Sequence, residues 1–413
     1  MNEKRVVITG LGVICSIATG KEAFFEAVFK GASGVRPVSL FDTSSYNVKK
    51  AAEVVDFEPQ NILGPKGLRV MDRCAKLVNC AAKLCLDDAS LIVTDENSCD
   101  IGVAIGATLG GIKSMSDFDA EALKEGPQYV NPALFPNTVI NSPASQISIR
   151  FNIKGFNATI STGFSSGLES FVYAANFIKQ GRVKAALAGG VEEFCEQFFL
   201  GFYRTKYLAG QNPDTLEVSC PFDSRRNGVI LGEGASVVML EDLDSALSRG
   251  ARIYGEIKGF GAAYSAYRIG KFEPLAKGLK VSMQSALDKS GLVPGDIDYV
   301  CSGANSTVDA DRLETKAIKD VFKDCAKRLP VSALKSMLGE CFSASGALQV
   351  ASSVASLERQ SIAATINYLK KDKECDLDYV ANSARNAKVR NILVNSFGPS
   401  GCNASAVISK YAG

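Results

Sequence analysis

The chain has 413 residues, and its 46 Lys plus Arg nearly balance 44 Asp plus Glu to give a net charge of +2. This balance, without a long run of one sign, gives no sign of a nucleic acid or an anionic membrane as partner. Histidine is absent, which excludes Ser-His-Asp, Cys-His and histidine–metal chemistry within the chain. The length allows about three domains or one large α/β body, and 46% hydrophobic residues suffice for a sizeable core.

The cysteine pattern and the N-terminus predict the compartment. The twelve cysteines are scattered, with no C-x-x-C pair, which is typical of buried free thiols in a reducing cytosol rather than of a metal site. The first residues offer no apolar signal core with a cleavage site, and no run of eighteen apolar residues follows. We therefore expect a cytoplasmic protein that does not span a membrane, without a metal or a cofactor of its own.

Short apolar runs, several of them ending in glycine, predict strands that are buried on both faces, with helical stretches such as 165–180 between them. A similar series begins again after about residue 250 and so predicts two related α/β halves, residues 1–250 and 251–413. No linker composition separates the halves, which predicts one interlocked body. The predicted strands lie at 6–10, 101–106, 185–190, 237–240, 253–257, 299–303, 392–398 and 406–409.

A long stretch at about 111–155 contains four prolines and is too apolar to be a simple connection. Insertions of this kind usually cover a site or build an interface. We expect this one to act as an interface or cap insertion of the N-terminal half.

Two local motifs suggest chemistry that the rest of the sequence does not complete. The stretch 163–167 fits the G-x-S-x-G pattern that exposes a nucleophile, here Ser165, at a strand-to-helix turn. Without histidine a hydrolase triad cannot form. Gly10 and Gly12 resemble the opening of a dinucleotide-binding fingerprint, but the third glycine is missing, so a tight strand-to-helix turn is the favoured interpretation.

Segments along almost the whole chain resemble the β-ketoacyl synthases, the condensing enzymes of fatty acid and polyketide synthesis. The resemblance implies an α/β, thiolase-like fold in which the two related halves form a layered α-β-α-β-α body. The segments that carry it are Val7-Ile8-Thr9-Gly10-Leu11-Gly12-Val13, Pro136-Asn137-Thr138, Ser142-Pro143-Ala144, Ala188-Gly189-Gly190-Val191-Glu192, Pro221-Phe222-Asp223-Ser224-Arg225-Arg226-Asn227-Gly228, Leu231-Gly232-Glu233-Gly234-Ala235 and Asn395-Ser396-Phe397-Gly398.

The family's catalytic positions are substituted within this framework. Phe164 stands where the family has its nucleophilic cysteine, and a phenyl ring cannot form a thioester. Gly303 replaces the first histidine. Glu340 replaces the second, five residues after a retained Lys335. Pro399 falls where the family's backbone N–H completes the oxyanion hole, and proline has no N–H.

These five vestigial positions imply that the chain has no catalytic residue and no independent activity. We expect Phe164 to plug the old pocket of its own subunit, with about 1.5–3 kcal/mol of apolar burial. Taken singly, Phe164 could be ordinary core, Glu340 a surface carboxylate and Pro399 a turn residue.

The lost positions resemble those of a chain-length factor, the ketosynthase-like and catalytically inactive subunit of a type II polyketide synthase. That resemblance implies a non-acylating subunit that determines chain length in a heterodimer with an active ketosynthase. The heterodimer would elongate a polyketide by decarboxylative Claisen condensation on an acyl carrier protein, whose phosphopantetheine carries the chain. Many chain-length factors have glutamine where this chain has Phe164, which puts a decarboxylase role in doubt.

The resemblance also suggests residues that shape the acyl tunnel. In chain-length factors, bulky residues on the helix after a Gly-Gly turn set the tunnel depth, and the matching helix here follows Gly111. Ile112, Met115 and Asp119 fall on one helical face, with Phe118 as a bulky neighbour. These four are the gate candidates, and the alternative is that Ile112 and Met115 are core residues.

Five basic residues are candidates for contact with an acidic carrier protein, with ordinary solvated charge as the alternative. They are Lys66, Arg69, Arg73, Arg225 and Arg226.

Two other functions stay open from the sequence. The first is a homodimeric, ketosynthase-like enzyme that has repurposed the old pocket, with Lys335 or Glu340 as its acid–base group. The second is a protein that binds acyl chains or carrier protein without a ketosynthase.

Overall fold

A computed structural model describes residues 4–413; Met1–Glu3, with which the predicted N-terminal half begins, lie outside the described residues. The strands are β1 Val6–Cys15, β2 Ala18–Thr19, β3 Arg36–Pro37, β4 Lys50–Ala51, β5 Ile101–Gly106, β6 Asn157–Ile160, β7 Ala185–Glu192, β8 Gly234–Asp242, β9 Gly255–Tyr264, β10 Tyr299–Cys301, β11 Pro330–Ser332, β12 Ser361–Ile362, β13 Asp378–Tyr379, β14 Arg385–Asn386, β15 Asn391–Phe397 and β16 Cys402–Ser409.

The helices alternate with these strands, and short 3₁₀ turns connect several of them. The helices are α1 Lys21–Lys30, α2 Gln60–Leu63, α3 Arg73–Asp88, α4 Ile112–Glu125, α5 Ser142–Phe151, α6 Ser166–Lys179, α7 Glu196–Arg204, α8 Leu243–Ser248, α9 Lys277–Ser290, α10 Val308–Phe322, α11 Lys335–Leu338 and α12 Ser345–Arg359.

The eight predicted strands are all present, as β1, β5, β7, β8, β9, β10, β15 and β16, and the predicted helix 165–180 is α6. Strands β1, β5 and β7 are buried along their whole length. This burial explains why they are continuous apolar runs without alternation.

The strand order of the main sheet is β6-β5-β7-β8-β1-β9-β16-β15-β10-β11-β13. Apart from the edge strand β13, the strands of each half are arranged in the same order from the edge of the sheet to its centre. Parallel pairs lie toward both edges, and the central strands from β7 to β15 pair antiparallel. The two halves meet where β1 pairs with β9 through Val7–Glu256 and Ile8–Gly255. The predicted boundary after residue 250 falls between α8 and β9, and the division into two domains stays a prediction.

Gly10 and Gly12 lie inside β1 and not at a strand-to-helix turn, so that interpretation is wrong. Both positions require glycine because helix α3 crosses the strand in backbone contact. A Cβ on Gly12 would lie 1.8 Å from the Ala81 carbonyl oxygen. Strand β9 repeats the arrangement, because a Cβ on Gly261 would lie 1.8 Å from the Ser282 carbonyl oxygen on α9. The same close packing therefore occurs in both halves.

Helices α6 and α12 form the central layer, and their buried side chains join those of β1 and β15 in the largest apolar cluster. Helix α3 covers the outer face of the N-terminal strands, and α9 and α10 cover that of the C-terminal strands. The layers therefore alternate as α-β-α-β-α.

The segment predicted to be a cap or interface consists of α4, two 3₁₀ turns and α5. Several of its large apolar side chains are exposed, among them Leu123, Phe135 and Ile149. Within residues 4–413, no helix is long and apolar enough to cross a bilayer, and no cluster of potential metal ligands is found.

Candidate functional site

The turn between β6 and α6 places Phe164 at the base of a cavity. Gly163 allows this turn because its φ of 75° is in the left-handed region, which glycine adopts without steric cost. Phe164 is only 4% exposed, and the Ser396 hydroxyl donates a 2.8 Å hydrogen bond to its carbonyl oxygen. Residue 164 therefore presents a fixed phenyl ring where a nucleophile would need a thiol or a hydroxyl.

Ser165, the serine of the G-x-S-x-G pattern, is fully buried. Its hydroxyl donates a 2.7 Å hydrogen bond to Oε1 of Glu169, one turn further along α6. Burial raises the pKa of Glu169, and the hydrogen bonds from Ser165 and Thr162 oppose that shift. Ser165 does not line the cavity that Phe164 lines, so it is not a nucleophile for a ligand bound there.

Lys335 and Glu340 form a buried ion pair near Phe164, with 2.8 Å between Nζ and Oε2. Glu340 also accepts hydrogen bonds from the Asn305 amide at 3.0 Å, from the Phe342 backbone N–H at 3.0 Å and from the Ser345 hydroxyl at 2.7 Å. The interpretation of Glu340 as a surface carboxylate is wrong, because it is 1% exposed. The Glu340 carboxylate therefore holds four neighbouring groups in place, and both of its oxygens are already hydrogen-bonded to protein atoms rather than open to a ligand.

Gly303 is held by its backbone on both sides. Its N–H donates to Glu314 Oε1 at 3.1 Å, and its carbonyl oxygen accepts from Lys335 Nζ at 3.0 Å. A Cβ at this position would lie 2.9 Å from both the Asn395 carbonyl oxygen and the Phe397 ring. The space for a side chain at residue 303 is therefore closed.

Pro399 lies on the loop after β15 and lines the same cavity. Its neighbour Gly398 packs flat on the Phe164 ring, since a Cβ there would come within 2.3 Å of that ring. Because proline has no N–H, the loop offers a ligand no donor at residue 399.

The cavity has a volume of about 610 Å³, within the range of small-molecule sites. Its apolar side is formed by Leu109, Ile112, Phe164, Phe198, Phe202 and Tyr207. Its polar side includes Lys206, Asn227, Lys271, Thr307, Asp309 and Ser400. Such a cavity suits a ligand with an apolar end and a polar, anionic end.

Comparison with known proteins agrees with this framework along the chain. The family model described as "Beta-ketoacyl synthase, N-terminal domain" matches residues 3–246, and "Beta-ketoacyl synthase, C-terminal domain" matches residues 254–369. The chain belongs to the β-ketoacyl synthase family. Its fold is the thiolase-like fold of ketosynthases, as the sequence predicted.

Curated proteins that are similar to this chain over its full length are named as enzymes. "3-oxoacyl-[acyl-carrier-protein] synthase 2" of Coxiella burnetii is 37% identical over 412 residues, covering 99% of both chains. The protein of the same name from Synechocystis sp. is 34% identical over 412 residues, covering 100% of this chain and 99% of its own.

Solved structures share the fold over the whole length. "The ishigamide ketosynthase/chain length factor" superposes with a TM-score of 0.91 at 32% identity, covering 99% of this chain and 100% of the other. A type II polyketide synthase acyl-carrier protein in complex with its ketosynthase, bound to the hexaketide, gives a TM-score of 0.91 at 26% identity with the same coverage.

The identification as a chain-length factor of a type II polyketide synthase is wrong. Full-length curated relatives at 34–37% identity are named 3-oxoacyl-[acyl-carrier-protein] synthase 2, and their names indicate neither polyketide synthesis nor control of chain length. The same names do not favour the two other functions left open, a repurposed enzyme using Lys335 or Glu340 and a separate binding protein. The ketosynthase/chain length factor structure names two kinds of subunit and does not assign this chain to either.

The four gate candidates on α4 differ in their surroundings, and only Ile112 lines the cavity. Ile112 lines the cavity beside Phe164, as the tunnel prediction requires. Met115 is 44% exposed and Asp119 is exposed as well, so the alternative that Met115 is a core residue does not hold in this chain. Phe118 packs on Phe135 at 6.1 Å between ring centroids, within the cap insertion.

The five predicted carrier-facing residues divide by burial. Lys66 and Arg69 are exposed. Arg73 pairs with buried Glu233 at 2.6 Å, and Arg225 pairs with Asp223 at 2.8 Å.

Arg226 is buried at 4% exposure and pairs with Asp372 at 2.8 Å. Assigning Arg226 to a carrier-facing surface is therefore wrong. The guanidinium groups of Arg73 and Arg225 are already engaged in local ion pairs.

The aromatic residues around Phe164 and two lysines at the cavity mouth were not predicted from the sequence. Phe198 and Phe202 are four residues apart on α7 and face the same cavity, a spacing that was readable from the sequence. Lys206 and Lys271 carry no motif. Only the folded chain brings these two lysines to one opening.

Proposed function

We propose that the chain works in acyl-carrier-protein-dependent elongation of fatty acyl chains, the process indicated by the names of its full-length relatives. The proposal includes neither a polyketide product nor control of product length. Its partner is an acyl carrier protein, and the ligand is the phosphopantetheine arm of that carrier. The solved complex of a related ketosynthase with its acyl-carrier protein supports this choice.

The side chain at residue 164 carries the second part of the proposal, that the acyl thioester forms on another subunit. Phe164 has no nucleophilic atom, and its ring is fixed against Gly398. The nearby buried carboxylate, Glu340, is occupied by its own donors. A partner ketosynthase would therefore supply the cysteine, and this chain would contribute its fold and its cavity.

The apolar cap supports such a pairing. Exposed large side chains on α4, α5 and the turns between them include Leu123, Phe135 and Ile149. Large apolar side chains exposed within one segment of the chain are typical of a protein–protein interface. The proposal also places the assembly in the cytoplasm, where reducing conditions keep thiols such as the exposed Cys99 free.

The proposal is tested by co-expressing the chain with the active ketosynthases of its own organism. The products are analysed by size exclusion and native mass spectrometry. We expect a one-to-one complex that condenses carrier-bound substrates, and no condensation by this chain alone. Condensation by the isolated chain, or the absence of any ketosynthase complex, would contradict the proposal.

A further inference from the structure

Four phenyl rings form a wall at the apolar end of the cavity. This aromatic wall consists of Phe164, Phe198, Phe202 and Phe342. Phe164 meets Phe342 edge-on at 4.5 Å between ring centroids, and Phe198 meets Phe202 at 5.1 Å. Phe342 in turn lies 5.7 Å from Phe202 and 5.9 Å from Phe198. These separations are within the favourable range for aromatic pairs, so the rings form one packed unit.

Phe342 supports the aromatic wall on the side that faces away from the cavity. Phe342 is buried at 8% exposure. It is not among the residues that line the cavity, whereas Phe164, Phe198 and Phe202 are. Phe342 therefore stands behind the lining rings, and Gly398 closes the other side of Phe164. A ligand that enters the cavity meets rings that cannot easily move aside.

The backbone of Phe342 has an unusual conformation that Glu340 supports. Its φ is 49°, in the left-handed region that a bulky residue rarely adopts. The N–H of Phe342 donates a 3.0 Å hydrogen bond to Glu340 Oε1, and Lys335 holds the other oxygen of that carboxylate at 2.8 Å. Glu340 therefore positions the Phe342 ring, and this ring packs on Phe164. Residues 164 and 340 thus belong to one packed unit.

The mouth of the cavity has the opposite chemistry. Lys206 and Lys271 line it and are exposed. Neither lysine forms an ion pair within residues 4–413, and the Asp309 carboxylate, which also lines the cavity, is paired with Arg312 at 3.1 Å. The Thr307 and Ser400 hydroxyls also line the cavity. Two ammonium groups at the opening suit a phosphate, and the hydroxyls suit the amides of an extended arm.

We infer that the cavity accepts a phosphopantetheine arm that carries no acyl group or a short one, and that the aromatic wall excludes long acyl chains. The lining rings of Phe164, Phe198 and Phe202 set the depth of the cavity, Phe342 supports them from behind, and Glu340 is the positioning residue that holds Phe342. This inference rests on the proposed function for the identity of the arm. It adds a restriction on substrate length that follows from the rings in this chain.

The test compares two non-hydrolysable probes, S-ethyl and S-dodecyl phosphopantetheine, by isothermal titration calorimetry on the full chain. We expect the short probe to bind at least about tenfold more tightly than the long one, a difference of about 1.4 kcal/mol. Phe342→Leu and Phe198→Leu should each narrow this ratio, because each removes part of the wall. Phe199→Leu is the matched control, since Phe199 is equally buried but packs on Phe41 and Tyr46, away from the cavity.

The role of Glu340 needs a readout that a stability loss alone would not change. Glu340→Gln should narrow the ratio of the two affinities as Phe342→Leu does. Ser345→Ala removes another donor to Glu340 without touching the Phe342 ring, and it should leave the ratio unchanged.

Three results would overturn the inference: equal or tighter binding of the long probe to the unmodified chain, no binding of either probe, or an unchanged ratio in both wall variants. These results differ from failure of the proposed function. A chain that prefers the short probe but forms no ketosynthase complex would contradict only the proposed function. An active complex whose chain prefers the long probe would contradict only the inference about depth.

Discussion

A single buried carboxylate, Glu340, determines the chemistry of the site beside the cavity. Glu340 forms an ion pair with Lys335 in an environment where both side chains are at most 3% exposed. A buried pair of this kind need not stabilise the fold relative to apolar residues of similar size. Removal of one partner nevertheless leaves an uncompensated buried charge.

We therefore expect Lys335→Met or Glu340→Leu alone to lower the free energy of unfolding by about 3–5 kcal/mol. The double variant should lose less than the sum of the two single losses, because it leaves neither charge unpaired. Urea unfolding of the four proteins gives the coupling energy. The exposed pair Lys113–Asp117 on α4 is the control, with an expected coupling of about 0.3–0.5 kcal/mol. Additive losses at 335 and 340 would show that the pair does not act as a unit.

A second buried carboxyl group predicts a dependence of stability on pH. Burial raises the pKa of Glu193 from 4.5 to about 8, and the nearby Asp72 adds to the shift. The folded chain then holds a proton that the unfolded chain loses above about pH 4.5. This contribution to stability is complete below pH 4.5 and is lost as the pH rises toward 8.

Glu193→Gln keeps the shape of the protonated carboxyl group and removes the titration. Relative to the unmodified chain, the variant should gain stability between pH 5 and pH 8, by at most about 1.4 kcal/mol per pH unit. Thermal or urea unfolding at several pH values measures this difference. Glu121→Gln, at an exposed position on α4, should show no such trend. A Glu193→Gln difference that stays constant from pH 5 to pH 8 would contradict the prediction.

At the scale of elements, paired glycines let a helix pack in backbone contact with a strand in each half. A methyl group on Gly12 would clash with α3, and one on Gly261 would clash with α9. Gly12→Ala should therefore destabilise the fold by about 1–3 kcal/mol or more. Gly201→Ala on α7 is the matched control, because no heavy atom lies within 4 Å of the added Cβ. Urea unfolding should show a loss for Gly12→Ala and none for Gly201→Ala, and equal effects would disprove the close contact.

The sequence predicted the elements better than their contacts. Long apolar runs such as 101–106 and 185–190 appeared as buried strands because burial on both faces leaves a simple pattern. Gly10 and Gly12 were misread, because a glycine that permits close helix packing has the same local signature as one in a turn. The left-handed φ of Phe342 occurs together with a hydrogen bond from its N–H to Glu340, and no sequence pattern indicates it.

The site residues divide in the same way. The absence of a thiol at residue 164 is visible in the sequence, because it depends on residue type alone. The ion pair of buried Arg226 with Asp372 and the hydrogen bond from Asn305 to Glu340 join residues that are distant in sequence. The other three donors to Glu340 are at most five residues away, but no motif predicts their geometry. The contact between the Phe342 and Phe164 rings joins residues too far apart in the sequence for a motif to predict it.

At the scale of the whole molecule, the nearly symmetric strand order and the two family matches describe one ketosynthase framework. That framework is common to the enzymes named in the comparisons and to the ketosynthase/chain length factor structure. Lost catalytic residues do not by themselves assign a chain to one branch of such a family, because each loss removes a function without specifying a new one. This is why the resemblance to a chain-length factor led to a wrong identification.

We propose that the acyl thioester forms on a partner subunit and not on this chain. The most direct measurement is mass spectrometry of both subunits after the complex is incubated with an acyl carrier protein loaded with an acyl chain. Peptide mapping separates residue 164 from incidental labelling of the exposed Cys99. We predict an acyl group on the partner's cysteine alone, and no adduct at residue 164 even in Phe164→Cys, because Gly303 and Glu340 provide no base for a new thiol. An acyl group on the unmodified chain, or efficient acylation of Cys at 164 in the variant, would contradict the claim.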